Sequence, residues 1–230
     1  MRETRSEESD GEDHRVDIRP LPAMALFERA LASFGYRHLC GIDEVGRGPL
    51  AGPVVAAAVI LPQSHSILGI RDSKQLTPSK RETLSDQIQK QAEGIGIGTV
   101  ENDIIDEINI LNATLLAMEK ALHALPVLPD YLLIDALTLS RVEMPQRGII
   151  HGDSLSVSIA AASIVAKVTR DRLMDQYHDE FPEYHFKQHK GYGTADHFDT
   201  IKKYGPCRLH RKTFRGVTPV EGQTFHEALA

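Results

Sequence analysis

Leu39-Cys40-Gly41-Ile42-Asp43-Glu44-Val45-Gly46-Arg47-Gly48-Pro49-Leu50-Ala51-Gly52-Pro53-Val54 sets two adjacent carboxylates inside an apolar run and follows them with a connection dense in glycine and proline. Residues 38–45 read as a β-strand, and neighbouring strand residues point to opposite faces of a sheet. At least one of Asp43 and Glu44 therefore faces inward or into a cleft. Burying an unpaired carboxylate is costly, and proteins tolerate it mainly for metal binding or catalysis. Residues 54–61, bounded by Pro53 and Pro62, read as a buried hairpin partner of that strand.

Working outward, Thr77-Pro78 has the form of a helix cap followed by a first helical residue, opening a helix to about Glu93. Residues 94–100 read as a third strand. Apolar residues at helical intervals mark a helix over 104–125, and residues 131–134 form an apolar strand that ends at Asp135. Asp153 follows the apolar pair Ile149-Ile150 and precedes a long helix over 155–181, whose first half is small, apolar and expected to be buried. Asp153 alone could be a helix cap and Asp135 alone a turn residue; the Asp43-Glu44 pair is harder to explain structurally. If these strand ends converge, four like charges share one site, which raises their pKa values unless a cation compensates. Oxygen ligands of this kind favour hard cations such as Mg²⁺ or Mn²⁺. The pattern is mixed α/β with an early hairpin. It lacks the third glycine of a dinucleotide-binding fingerprint.

The 230 residues, 41% hydrophobic and 25% charged, fit one compact domain with a small appendage and exclude wholesale disorder. The longest aliphatic run, 54–61, is far short of the ~20 residues of a membrane span. No apolar segment near the start resembles a secretory signal, so a cytoplasmic location and free thiols at Cys40 and Cys207 are expected.

The net charge of −6 is unevenly placed. Residues 1–17 hold seven acids against three arginines, and 1–18 is expected to be a disordered acidic tail. From 184 to 216 eight Lys/Arg stand against two Asp, with four histidines and six Phe/Tyr interleaved. That mixture suits a polyanion that also offers flat sugar or base surfaces. A solvated basic face over a packed C-terminal segment accounts for it equally well.

The opening stretch resembles the ribonuclease HII family, the type 2 ribonucleases H. So do Asp72-Ser73-Lys74-Gln75-Leu76, Ile134-Asp135-Ala136, His151-Gly152-Asp153-Ser154, Ala161-Ala162-Ser163-Ile164-Val165-Ala166-Lys167-Val168-Thr169-Arg170-Asp171, His189-Lys190-Gly191-Tyr192-Gly193-Thr194 and His210-Arg211-Lys212-Thr213-Phe214. The resemblance implies an α/β, ribonuclease H-like fold: a mixed sheet flanked by helices, with a catalytic part over 36–181, a small basic helical part over 182–217 and a tail over 218–230. It implies a monomeric endonuclease that cuts the RNA strand of RNA–DNA hybrids. It also implies nicking 5′ of ribonucleotides embedded in duplex DNA, leaving 3′-hydroxyl and 5′-phosphate ends. The family's metal-binding acids fall on Asp43, Glu44, Asp135 and Asp153, the acids that the strand pattern selects. Two divalent ions, Mg²⁺ or Mn²⁺, about 3.5–4 Å apart would activate water and stabilise the departing oxygen. The resemblance assigns reading of the 2′-hydroxyl to Gly46, Arg47 and Gly48, sugar packing to Tyr192 and phosphate contacts to Ser73 and Lys74. Lys167, Lys190 and Arg170 are further phosphate candidates.

The chain departs from the family pattern at Ala136, where glycine is frequent, at Gln75, where a second lysine is frequent, and at Cys207, where serine is usual. A rival enzyme reading, a zinc-site reading and a binding reading compete. Gly152-Asp153-Ser154-Leu155 with Asp175-x-x-His178 spells a serine-esterase signature, and His185-x-x-x-His189 has zinc-ligand spacing without a completing ligand. A non-catalytic hybrid-binding module would keep the basic region without needing the acids.

Overall fold

The computed structural model describes residues 23–218, with no cis peptide bond among them. Both expected tails, 1–18 and nearly all of 218–230, lie outside the described residues. The elements in chain order are α1 (Leu26–Ser33), β1 (Leu39–Val45), β2 (Val54–Ile60), α2 (Pro78–Gln91), β3 (Gly94–Val100), α3 (Asn102–His123), β4 (Tyr131–Asp135), β5 (Gln146–Ile149), α4 (Gly152–Leu155), α5 (Val157–Glu180), α6 (Phe186–His189) and α7 (Ala195–Tyr204).

The five strands form one mixed sheet in the order β3-β2-β1-β4-β5. β1 and β2 pair antiparallel, as the hairpin reading expects, with Asp43 opposite Ala57 and Glu44 opposite Ala56. β4 runs parallel to β1 on its other side, with Ile42 beside Ile134. The next residue along each strand is an aspartate, Asp43 on β1 and Asp135 on β4. Parallel strands end at the same edge, so this register alone makes the two acids neighbours.

All seven residues of β2 are buried, because both faces of the sheet are covered. On one face Cys40, Ile42, Val54, Ala56, Ala58 and Ile60 pack against Ala113, Ala117, Met118 and Ala121 of α3. On the other, Ala57 and Val59 meet α5 through Ala160, Ala161 and Ile164, and α2 through Leu84 and Ile88. Each fully buried Val, Leu or Ile contributes about 1.5–3 kcal/mol. α5 lies close because β1 has no side chain at Gly41: a Cβ there would come within 2.0 Å of the Ser158 carbonyl carbon. Substituting Gly41 would push α5 away from the strand that carries Asp43.

Helix starts follow the caps. Thr77 Oγ1 accepts from Lys80 N at 3.3 Å with Pro78 in the first turn. The long C-terminal helix begins later than its composition suggests. Residues 152–155 form a separate turn, and Ser156 caps α5 by accepting from Ile159 N at 3.2 Å. Glu28 of α1 reinforces this end, accepting from Ser156 Oγ and Ser158 N. The helix expected over 104–125 is interrupted at Asn109, φ +66°, whose side chain accepts from Leu111 N and Asn112 N and so caps a second helical segment. α1 and the edge strand β5 carry no clear sequence signal. No helix among the described residues is long and apolar enough to cross a membrane.

Beyond α5, a small second core gathers Tyr184, Phe186, Ile201, Leu209 and Val217 around Met174 and Leu50. Four of the six Phe/Tyr of the basic region, Tyr184, Phe186, Phe198 and Phe214, thus pack into the protein, and Tyr192 and Tyr204 stay exposed. Several basic groups there are also engaged: Arg211 is buried, Arg208 pairs with Glu180 and Lys190 with Asp175.

Candidate active site

The carboxyl ends of β1 and β4, the turn α4 and the residues before α2 converge at one edge of the sheet. Asp43 is buried against α5, where Ser163 donates to it, and its Oδ1 accepts from Glu44 N at 2.7 Å. Burial lifts its pKa well above the usual carboxylate range; Glu44 and Asp135 add repulsion and the Ser163 bond only partly offsets it. Glu44 is also raised, by burial first, with Arg47 pulling down and Asp135 pushing up. Arg47 Nη1 lies 3.3 Å from Glu44 Oε1, but Glu44 Oε2 is buried with no hydrogen-bond partner. Such an orphaned oxygen is uncommon and calls for an explanation.

Asp135 Oδ1 accepts from Gly152 N at 2.7 Å, which ties β4 to the turn carrying Asp153. The backbone is strained on both sides of this tie. Ala136 has φ +52° and His151 φ +57°, left-handed conformations that L side chains rarely adopt. The frequent family glycine at position 136 therefore has a physical reason. Asp153 is raised by burial, with Asp72 and Asp135 repelling it and Lys74 opposing them. Lys74 Nζ is 3.6 Å from Asp153 Oδ2. Burial pulls the Lys74 pKa down, but Asp153, Asp72, Asp43 and Asp135 together outweigh that and raise it. Lys74 therefore stands in the field of these four aspartates. Asp72 is a fifth acid that the strand pattern does not reveal, because it precedes a short turn and its Oδ1 caps Lys74 N.

The carboxylates converge without forming a closed cage: among the described residues no three His, Cys, Asp or Glu side chains stand as a set able to hold a metal ion. The donors are all hard oxygens, desolvated, mutually repelling and in one case orphaned. That is the chemistry a divalent cation relieves.

The other candidates divide into two groups. Arg47 and Gly48 are exposed on the loop after β1, and Tyr192, 43% exposed, stands beside them, its Cε1 3.8 Å from where a Gly48 Cβ would lie. Gly46 is buried with φ +94°, and a Cβ there would sit 2.2 Å from Arg170 Nε, so only glycine fits. Ser73, by contrast, is buried with its hydroxyl 3.0 Å from that of Ser163, behind Asp43 and away from the surface. Lys167 Nζ binds Asp171 at 2.6 Å beside Arg81. Arg170, considered above as a phosphate contact, is fully buried and donates to the Pro53, Ala51 and Lys190 carbonyls. Every nitrogen of its guanidinium is engaged, so that reading is corrected: Arg170 braces the loop.

The esterase and zinc readings fail on geometry. Ser154 Oγ donates to Asp153 at 3.5 Å. His178 lies near the far end of α5, about 30 Å along the helix axis, too far for a Ser–His pair. His185 binds Asp196 Oδ2, and His189 binds the Tyr184 carbonyl and stacks on His197, so the two do not share a ligand point. A cavity of about 230 Å³ lined by Glu28, Arg37, Leu39, Leu61 and Ser158 opens at the opposite end of β1 from the acids. None of the four acids lines that cavity.

Comparison with known proteins gives the family and the fold. The family model described as Ribonuclease HII matches residues 40–217. The chain is 55% identical to the ribonuclease HII of Geotalea uraniireducens over 196 residues, 85% of this chain and 91% of that one. It is 56% identical to that of Enterococcus faecalis over 194 residues, 84% of this chain and 76% of the other. Among solved structures, ribonuclease H2 from Pyrococcus horikoshii aligns with a TM-score of 0.64 at 27% identity, covering 76% of this chain and 93% of that chain. The PCNA:RNase HII complex structure from Archaeoglobus fulgidus shares the fold at a TM-score of 0.68 and 24% identity, over 82% of this chain and 99% of that chain.

Proposed function

The chain belongs to the ribonuclease HII family and is an endonuclease acting on the RNA of RNA–DNA hybrids; from that premise we propose that Asp43, Glu44, Asp135 and Asp153 hold its divalent metal ions. The observation that supports this most is the parallel register that sets Asp43 beside Asp135, with the orphaned Glu44 Oε2 at the same edge. Mg²⁺ customarily takes one or two carboxylates and completes its shell with water and substrate phosphate oxygens. An open set of acids fits that habit better than a closed cage would.

When bound, two divalent ions, Mg²⁺ or Mn²⁺, supply an activated water and charge stabilisation for the departing 3′ oxygen. The residues of the chain do the rest. Lys74, held over Asp153, offers a cation to a phosphate near the scissile bond. Glu44 holds Arg47 at the mouth of the loop, and the loop's main chain meets the 2′-hydroxyl, the one group that separates RNA from DNA there. Tyr192 gives a flat surface for the adjoining sugar. Lys167 supports the phosphate path from its ion cluster with Asp171 and Arg81, and Ser73 backs Asp43 through Ser163. Residues 36–181 carry the chemistry and 182–217 the wall on which the duplex rests. On this reading the enzyme nicks 5′ of a ribonucleotide embedded in duplex DNA, acts as a monomer and works in the cytoplasm.

The test is cleavage of labelled duplex DNA carrying one ribonucleotide, with Mg²⁺, Mn²⁺ or chelator, by wild type and Asp43→Asn. Metal-dependent nicking on the 5′ side, lost in the variant, is expected. Binding with no cleavage under any metal condition would leave a hybrid-recognition module instead.

A further inference from the structure

Arg211 is the buried group that the proposed mechanism leaves without a task. It is fully buried, and among the described residues no carboxylate forms an ion pair with it. Its guanidinium donates to Gly46 O at 2.6 Å, Arg47 O at 2.9 Å and Gly52 O at 2.8 and 3.0 Å, and it lies 4.9 Å over the Phe214 ring. A buried charge whose hydrogen bonds all go to main-chain carbonyls, with Asp106 the carboxylate that opposes it, is an expensive way to fill space, and an apolar side chain would do so at lower cost. A planar fork that reaches three carbonyls at once does something an apolar residue cannot: it sets the orientation of successive peptide planes.

That orientation has a consequence at the surface. In a trans peptide the C=O of one residue and the N–H of the next point in opposite directions. With the Gly46 and Arg47 carbonyls drawn inward to Arg211, the Arg47 and Gly48 N–H groups are turned outward. Neither finds a backbone acceptor among the described residues, and both residues are exposed beside Tyr192. The same segment is pinned at its other end, where Arg211 N donates to Leu50 O and Leu50 N to Gly191 O.

We propose that Arg211 is a positioning residue for ribonucleotide recognition: by holding the Gly46 and Arg47 carbonyls inward it aims two main-chain N–H donors at the 2′-hydroxyl and its neighbouring phosphate. Arg211 touches no substrate itself. This rests on the assignment of loop 46–48 as the ribonucleotide reader, and the experiment separates the two.

The measurement is the affinity of the full chain, with Ca²⁺ as a non-reactive divalent ion, for two duplexes of one sequence, one all-DNA and one with a single ribonucleotide. The readout is the ratio of the two dissociation constants. Arg211→Lys keeps the charge but not the fork. Its ratio is expected to fall toward unity, by about tenfold if one well-placed hydrogen bond is lost, with all-DNA binding little changed. A merely structural role would weaken both duplexes alike and leave the ratio intact, which overturns the inference. If thermal melting shows Arg211→Lys unfolded, Phe214→Leu, which loosens the ring under the guanidinium, provides the same readout: a reduced ratio supports the inference and an unchanged one overturns it. Wild type that binds both duplexes equally would overturn the loop assignment, and this inference with it.

Discussion

Two groups of buried ionisable side chains lie on either side of the loop after β1, and they are built on opposite terms. At the sheet edge Asp43, Glu44, Asp135 and Asp153 crowd together, with raised pKa values at Asp43, Glu44 and Asp153 and one oxygen left without a partner. Under the C-terminal segment Arg170, Arg211, His197 and His210 are as deeply buried, yet their hydrogen-bonding groups are occupied. Each arginine meets three carbonyls. His210 Nδ1 accepts from Cys207 N, its Nε2 meets His197 Nε2 at 3.1 Å, and His197 Nδ1 donates to Tyr192 O. That chain has one consistent arrangement of protons, with both rings neutral. Burial alone therefore does not mark a reactive site. Crowded like charges with an unpaired oxygen suit a cation, whereas the satisfied groups hold the backbone in place.

The largest effect that could break this contrast is loss of activity without loss of fold. Asp43→Asn should lower kcat about a thousandfold or more, since several kcal/mol of metal-borne stabilisation disappear at 1.36 kcal/mol per decade. Its metal-free melting temperature should hold or rise, because a buried like charge is removed. A variant that melts far below wild type would place Asp43 among the structural groups. The opposite outcome is expected of Arg170→Met. It orphans three carbonyls, each worth about 1–3 kcal/mol when buried unsatisfied, so urea unfolding should show a net loss of about 3 kcal/mol.

The two groups also differ in the sign of their pH dependence. Burial lowers His197 and His210 to about 4, so they favour the fold above their unfolded value of about 6.5 and lose that contribution as pH falls toward 4. His189 and Asp196 also face the His197 ring; the first lowers and the second raises its pKa. The raised acids act the other way: they favour the metal-free fold when protonated and cost stability as pH rises through their folded values. Metal-free melting from pH 7 to 4 should therefore decline less steeply in His197→Asn, whose amide can still donate to Tyr192 O. A slope unchanged in this variant would show that the histidine pair does not govern it. The smallest effect concerns strain: Ala136→Gly should stabilise the chain by about 1 kcal/mol, because Ala136 holds φ +52°. Equal or lower stability would mean that the turn relaxes without cost.

How much of this the sequence discloses depends on how local the physics is. β1, β2, β3 and β4 are legible because apolar runs are bounded by glycine and proline. The four acids stand out because they interrupt or end those runs. The break before α5 is hidden, since Ser156 looks like one more small residue in a helical stretch and acts as a cap only in context. β5 is a half-exposed edge strand, and Gln146, Arg147 and Gly148 carry no apolar alternation. Arg170 and Arg211 are invisible for another reason: their partners are main-chain carbonyls of loop 46–53, more than a hundred residues away for all but Lys190, and no side-chain pattern records a carbonyl. The resemblance offered Arg170 as a phosphate contact, and the composition of 184–216 left Arg211 open between a substrate contact and a solvated basic face; the fold gives both to the loop.

The most direct test of the claim that the unsatisfied acids are the metal site is Mn²⁺ binding to the intact chain, followed by calorimetry without substrate, for wild type, Glu44→Gln and Asp135→Asn. Wild type should bind Mn²⁺ and gain melting temperature with metal concentration, and each variant should lose at least about tenfold in affinity while remaining folded. Equal Mn²⁺ affinity in all three proteins would contradict the account.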